Sequence, residues 1–403
     1  MLNRQQRRRV SSMTNKMGKG IGLVAGAVAA LGLASSVQAD EINLPSTLIW
    51  SAYPTGTTGY GQAVGIGNVL QNRYGVNLRV VPGRNDVSRM EPLRRGRANF
   101  VFGGSEAMSV QEGLRDFGVR GWGPQPIRVG LWNLSDACSF ALQVHADSDM
   151  HTIEDIKGKR VPFVQGAAAP NAGFEYLMRY GNLTWDDVQV VEIGGYMGMV
   201  EAFIDNRLDV KWNSCDAAVL HRVANAPRGF RFIEFPHDNE EAVARVSEEA
   251  PWFVPHVATK AVGVDVGDGI EVFSSPYPLM TTLVTEPEDT VYGLVRAMHQ
   301  HHDEYIDSAP GQEGWAMERQ AIETSFVPFH DGAIRYFKEI GVWTEEAQRN
   351  HEQQVRRQQL LMEAWENYVA DAPRDEQAFA EGWMEVRYNT LVENDMIPLS
   401  RRW

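Results

Sequence analysis

The chain has 403 residues, with 38 lysines and arginines against 52 aspartates and glutamates, a formal charge of −14. An acidic field of that size repels nucleic acid and anionic lipid, which excludes nucleic-acid binding and favours a dispersed, monomeric molecule. The two cysteines, Cys138 and Cys215, lie far apart and at no metal-ligand spacing; they can pair as one disulfide or remain two buried thiols.

Residues 1–39 predict a cleaved export signal. Arg7, Arg8, Arg9, Lys16 and Lys19 precede an uncharged stretch over 21–34, and Val37-Gln38-Ala39 offers signal peptidase small residues at −3 and −1. That apolar run of roughly 14 residues is shorter than the ~20 needed to cross a bilayer. Cleavage after Ala39 would leave a periplasmic protein beginning at Asp40, by a Sec or a twin-arginine route. The leader carries six basic residues and no acidic one, so its loss takes the formal charge from −14 to −20.

Strands are predicted over 47–53, 77–81 and 100–102. Between them, a glycine- and threonine-rich turn over 54–61 opens a helix ending near Gly75, and a second helix starts at Asp86 or Ser88. Such alternation predicts a parallel sheet with crossover helices. It restarts after Trp132, with strands over 140–144, 161–164, 188–193 and 208–212, and predicts a second α/β lobe with its own parallel sheet.

Residues 259–284 are β-branched and glycine-punctuated, which predicts extended structure, and Pro287 then starts a helix carrying Val291, Leu294, Val295 and Met298 back on the first lobe. Near the end, Thr344 caps a helix whose inward stripe is Ala347, His351, Val355, Gln358, Met362, Trp365 and Val369, stopped by Pro373. Too few heptads are present for an autonomous coiled coil, so this reads as a packing helix. The expected organisation is a first lobe over 40–137 and 262–340, a second over 138–261, and a helical extension over 341–403 packing on the lobes.

Catalytic signatures are absent: no G-x-S-x-G elbow, no phosphate loop, no H-E-x-x-H and no dinucleotide fingerprint. No catalytic residue, cofactor or metal is expected. The run His299-Gln300-His301-His302-Asp303-Glu304 lacks the i, i+4 spacing that would converge on a metal, and reads as a solvated helix end. Three turns at strand ends are more informative, because open α/β sheets hold ligands there, on backbone N–H groups and helix N-termini. They are Thr55-Gly56-Thr57-Thr58-Gly59-Tyr60, Pro82-Gly83-Arg84-Asn85-Asp86-Val87-Ser88 and Gln165-Gly166-Ala167-Ala168-Ala169-Pro170-Asn171. Placed on two lobes, they predict a solute caught in a cleft.

At these residues the chain resembles the TAXI family of extracytoplasmic solute receptors, which serve TRAP transporters. The first turn is similar to that family's T-G-G-T-Y-Y. The second resembles its S-T-G-G-S-V-E-N-L, closed here by Arg94-Arg95-Gly96-Arg97-Ala98-Asn99-Phe100. Asp155-Ile156-Lys157-Gly158-Lys159-Arg160-Val161 resembles L-K-G-K-R-V. Val327-Pro328-Phe329-His330-Asp331-Gly332-Ala333-Ile334-Arg335-Tyr336-Phe337-Lys338-Glu339, the most specific of the four, resembles P-x-H-P-G-A-x-R-Y-Y-x-E.

The resemblance implies an α/β fold of the two-lobe periplasmic-binding-protein type II, with no enzymatic activity and with TRAP membrane subunits as partners. The implied ligand is a small organic anion, a carboxylate or an amino acid such as a glutamate-like solute. Departures such as Ala167-Ala168-Ala169-Pro170, in place of a G-S-G-T-like segment, set this chain's specificity apart. Arg84 is the leading anion partner, a guanidinium able to pair bidentately with a carboxylate, with Thr57, Thr58, Tyr60, Asn85 and Ser88 around it. Gly166, Asn171, Trp212 and Asn213 are added from the second lobe, Trp212 reading equally as core. Arg89 and Arg94 are left to an exposed helix face. The competing readings are a receptor for an ATP-driven importer or a sensor kinase, and a periplasmic enzyme with Cys138 or Cys215 as nucleophile.

Overall fold

The computed structural model describes residues 42–398, so the expected export signal lies outside the described residues. The first lobe is built by β1 (Thr47–Ala52), α1 (Thr58–Tyr74), β2 (Asn77–Pro82), α2 (Asp86–Arg94), β3 (Phe100–Gly103), α3 (Glu106–Glu112) and β4 (Ile127–Trp132). Local chemistry sets these boundaries. Thr57 caps α1 by accepting from the Tyr60 N–H, and Gly75, at φ 68°, ends it in the left-handed conformation that favours glycine. A capping box of Asn85 and Ser88 starts α2 at Asp86, the first of the two starts predicted, Asp86 or Ser88. As expected, β1 pairs in parallel with both β2 and β3.

The second lobe contains β5 (Ala141–Val144), β6 (Arg160–Val164), α4 (Ala168–Tyr180), β7 (Gln189–Ile193), α5 (Tyr196–Ile204), β8 (Val210–Asn213), α6 (Leu220–Ala224), β9 (Arg231–Phe232), α7 (Glu240–Glu249), β10 (Val254–Ala258) and β11 (Ile270–Ser274). The single parallel sheet predicted here is not what forms. Only β6 and β7 are parallel, whereas β5 runs antiparallel to β8 and β9, and β10 antiparallel to β11. Hydrophobic patterning marks a strand but carries no information on its direction.

The chain then returns to the first sheet. There β12 (Leu279–Leu283) inserts antiparallel between β3 and β4, giving the order β2-β1-β3-β12-β4. Helices α8 (Glu288–Gln300), α9 (His302–Tyr305) and α10 (Asp331–Glu339) follow. Two hydrophobic cores result. One gathers Leu48, Trp50, Phe100, Phe102, Leu131 and Met280; the other gathers Phe174, Phe203, Val210, Ile233, Val272 and Phe273. Ile270, Val272 and Phe273 thus pack in the second lobe, although the sequence placed residues 262–274 with the first. Cys138 and Cys215 form a disulfide inside the second lobe, with Cα atoms 5.1 Å apart. The architecture is a two-lobe α/β fold with a helical extension.

That extension consists of α11 (Glu345–Asp371) and α12 (Glu376–Glu393). Thr344 caps α11 by accepting from the Ala347 N–H at 3.1 Å, and Ala347, Gln358 and Leu361 lie buried beneath it. Two buried arginines absent from the predicted stripe do more to fix it. Arg357 Nε donates to Glu112 Oε1 at 2.6 Å, and Arg387 Nε, from α12, donates to Glu112 Oε2 at 2.9 Å. Glu112 is fully buried at the end of α3. Burial pushes its carboxyl up, but Arg387 and Arg357 pull it below the ordinary range. Among the described residues no helix is long and apolar enough to cross a membrane.

Removing one member of a buried ion group strands the others, at about 3–5 kcal/mol. Glu112→Ala should therefore lower the free energy of unfolding by that order, read as a shifted urea midpoint.

Candidate functional site

Between the two lobes lies a cleft. Its walls come from the ends of strands. Tyr53 follows β1, Arg84, Asn85 and Asp86 follow β2, and Gly104, Ser105 and Glu106 follow β3, while Tyr277 precedes β12. From the opposite side come Phe140 before β5, Ala167 and Ala169 after β6, Tyr196 at the start of α5, and Trp212 in β8.

At the base of the first-lobe wall sits a buried charge cluster. Arg89 Nη2 lies 2.7 Å from Asp86 Oδ1 and 2.5 Å from Glu106 Oε1, and all three side chains are 2% exposed. The guanidinium stacks 3.8 Å over the Tyr53 ring, a cation–π contact. The remaining carboxylate oxygens are also used. Glu106 Oε2 accepts from the Gly104 N–H at 2.6 Å, and Asp86 Oδ2 accepts from the Ala169 N–H at 2.9 Å, across the cleft. Burial, and then the neighbouring Glu106, push the Asp86 carboxyl up to about 7, against the pull of Arg89 and of the Ala169 N–H. Among the described residues, two buried donors on lining residues have no protein acceptor: Arg89 Nε and Trp212 Nε1.

Other bonds hold the lobes shut. Thr58 Oγ1 donates to Asp216 Oδ1 at 2.7 Å, Asn85 Nδ2 to the Gln165 carbonyl at 2.9 Å, and the Val219 N–H to the Gly56 carbonyl at 3.0 Å. Arg115 pairs with Glu175 at 3.1 Å. Burial lifts the Asp216 carboxyl to about 6, with the Thr58 hydroxyl opposing the rise.

Of the residues expected from the sequence, Thr57, Arg84, Asn85 and Trp212 line this cleft. Arg84 is exposed, in contrast to Arg89, which is buried at the cleft and not on the exposed helix face expected for it. Thr57 donates its hydroxyl to the Pro54 carbonyl at 2.7 Å and caps α1. Thr58 is occupied by Asp216, and Ser88 by the capping box with Asn85. Half-buried Tyr60 is not among the lining residues. Gly166, at φ 70°, packs against Asn85, where a Cβ would come within 2.5 Å of Asn85 Nδ2. Asn171 braces β6, its side chain bonding both the N–H and the carbonyl of Val164. Asn213 acts one step back from the cleft, accepting from Lys211 Nζ and donating to the hydroxyl of Tyr196.

Sequence reasoning missed Asp86 and Glu106 as site groups, and the rings of Tyr53, Phe140, Tyr196 and Tyr277 beside Trp212. The i, i+3 spacing of Asp86 and Arg89 was a visible signal of pairing; nothing local pointed to Glu106. The histidines of the run are half-buried and not the solvated helix end expected: His299 meets the Tyr336 hydroxyl, His301 meets Glu304 and His302 meets the Gln312 carbonyl. Among the described residues no cluster of histidine, cysteine or carboxylate could hold a metal. Both cysteines are consumed in the disulfide, which leaves the cysteine-enzyme reading without its nucleophile.

Comparison with known proteins adds a family. A model of the NMT1-like family matches residues 124–341, more than half of the chain. No curated protein matches in sequence. Similar solved structures include an ancestral arginine-binding protein bound to arginine, at TM-score 0.43 and 13% identity over 68% of this chain and 99% of that one. Another is the alkanesulfonate-binding protein SsuA from Xanthomonas axonopodis pv. citri bound to MOPS, at TM-score 0.40 and 11% identity over 73% of this chain and 84% of that one. A third is an amino acid ABC transporter substrate-binding protein from Streptococcus pneumoniae bound to L-arginine, at TM-score 0.41 and 11% identity over 66% and 92%.

The Asp86 carboxyl is raised to about 7 in the folded protein, whereas an unfolded aspartate sits near 3.9. Between those values the folded state holds a proton that the unfolded state has lost, so this group's contribution to stability falls as pH rises from about 4 to 7. Asp86→Asn should flatten that part of the profile in thermal unfolding of the solute-free protein, while Asp216 retains its own smaller slope.

Proposed function

We propose that this chain, which belongs to the NMT1-like family, is an extracytoplasmic solute receptor that closes its lobes on a small organic anion and hands it to a membrane permease. The observation that carries this reading is the pair of buried donors without acceptors, Arg89 Nε and Trp212 Nε1, at a cleft sealed by hydrogen bonds between lobes. An unmatched buried donor costs about 1–3 kcal/mol, and a carboxylate oxygen placed beside it removes that cost. Arg89 therefore takes the role expected for Arg84. Being exposed, Arg84 can steer an anion toward the mouth but is screened by water.

The motif that most resembles TAXI receptors supports a TRAP-type partner, and its side chains have structural work to do. His330 caps α10 by accepting from the Gly332 N–H at 3.1 Å, and a Cβ on Gly332 would come within 2.3 Å of the Glu288 carbonyl. These residues seat α10 against α8. A receptor for an ATP-driven importer uses the same lobe closure, and the class of permease genes beside this one discriminates the two. The leader over 1–39 and the disulfide both support a periplasmic location.

A carboxylate at 100 times its dissociation constant should stabilise the refolded, solute-free protein by about 2.7 kcal/mol, a rise of several degrees in Tm. In calorimetry Arg89→Gln should weaken binding by at least a hundredfold, the scale of 2–5 kcal/mol for a buried charge partner, and Arg84→Ala by less than tenfold. The reverse order would return the anion site to Arg84. Absence of binding by any carboxylate to a folded sample would remove the anion reading.

A further inference from the structure

We infer that the solute is an aromatic monocarboxylate, a planar ring bearing one carboxylate, rather than a glutamate-like or dicarboxylate anion; the inference rests on the receptor reading above and narrows its ligand. The rings and charges around the cleft carry it.

Rings face the cleft from both lobes. Tyr53 and Tyr277 on the first-lobe side have centroids 5.2 Å apart. On the other, Phe140 stacks on Trp212 at 5.5 Å with an interplanar angle of 25°, and Tyr196 stands beside Trp212 at 5.8 Å. Such walls give a planar ring large contact area in offset or edge-to-face packing. A flexible aliphatic chain gains less from them and loses more rotamer freedom on binding.

The charges limit the ligand to one anionic group. Arg89 is the sole buried cation lining the cleft among the described residues, and Asp86 and Glu106 already bond its Nη2. All four oxygens of those two carboxylates already have a donor, so neither carboxylate is left unpaired to attract a ligand ammonium. Arg89 Nε and Trp212 Nε1, one on each lobe, are buried donors with no protein acceptor among the described residues, and an anionic oxygen suits either. A second carboxylate placed near Asp86, Glu106 or a ring face would be repelled, and Arg84, the other lining cation, is exposed and screened by water.

Isothermal calorimetry on the mature chain, refolded to remove captured solute, tests this with benzoate, 4-hydroxybenzoate and phenylacetate against acetate, cyclohexanecarboxylate, succinate and glutamate. The expected result is at least tenfold tighter binding of one aromatic acid than of any comparator. Trp212→Ala should lose at least tenfold of that affinity, and Trp212→Phe should keep most of it. If Trp212→Ala fails to fold, Tyr277→Leu serves the same purpose. Glutamate or succinate binding as tightly as the aromatic acids would overturn the ligand class and leave the receptor reading standing, and cyclohexanecarboxylate matching benzoate would overturn the ring requirement. No binding of any carboxylate at millimolar concentration would overturn both readings together.

Discussion

One guanidinium organises the cleft. Burying Arg89 with Asp86 and Glu106 takes a guanidinium and two carboxyl groups out of water, and their close pairing offsets much of that cost, with Arg89 Nε left without a protein acceptor among the described residues. The cost has a structural return. Asp86 begins α2 and Glu106 begins α3, so a single side chain fixes the turns after β2 and β3 against each other. The Gly104 N–H taken by Glu106 Oε2 locks the second of these turns. Tyr53, lying under the guanidinium, ties in the end of β1.

The same cluster reaches into the other lobe. Helix α4 has Ala167 at its cap position, which has no side chain able to accept from the first N–H groups, and Asp86 supplies the missing acceptor from across the cleft. A helix end that would suit a bound anion is thus filled by the protein itself when the lobes meet. Parting the lobes hands that N–H back to water. Lobe closure and completion of α4 are one event, which makes the closed geometry a discrete state.

Much of the fold was legible because its signals are local. The β1, β2 and β3 segments alternate with capped helices, and Thr344 and Pro287 mark helix starts that need only a few neighbouring residues. Strand direction in the second lobe was not legible, because it depends on where the chain enters the sheet. Of the side chains expected at the site, Thr57, Arg84, Asn85 and Trp212 line the cleft, and others are committed elsewhere. Hydroxyls and amides at strand ends look like ligand groups, yet Asp216 claims Thr58 from 158 positions away and Val164 claims Asn171. Arg89, in a short charged helix, has the look of a solvated residue, and its burial is decided by Glu106 on another element. Arg357 and Arg387 were hidden for the same reason, since their shared carboxylate lies more than 240 residues earlier.

The bond between Cys138 and Cys215 spans 77 residues, running from the approach to β5 to just beyond β8. In the chain-entropy account, a loop of that length contributes roughly 4 kcal/mol by constraining the unfolded chain. That contribution exists only where thiols are oxidised. Under reducing conditions the second lobe is weaker by that amount, so one sequence has two stabilities, and the redox poise around the chain selects between them.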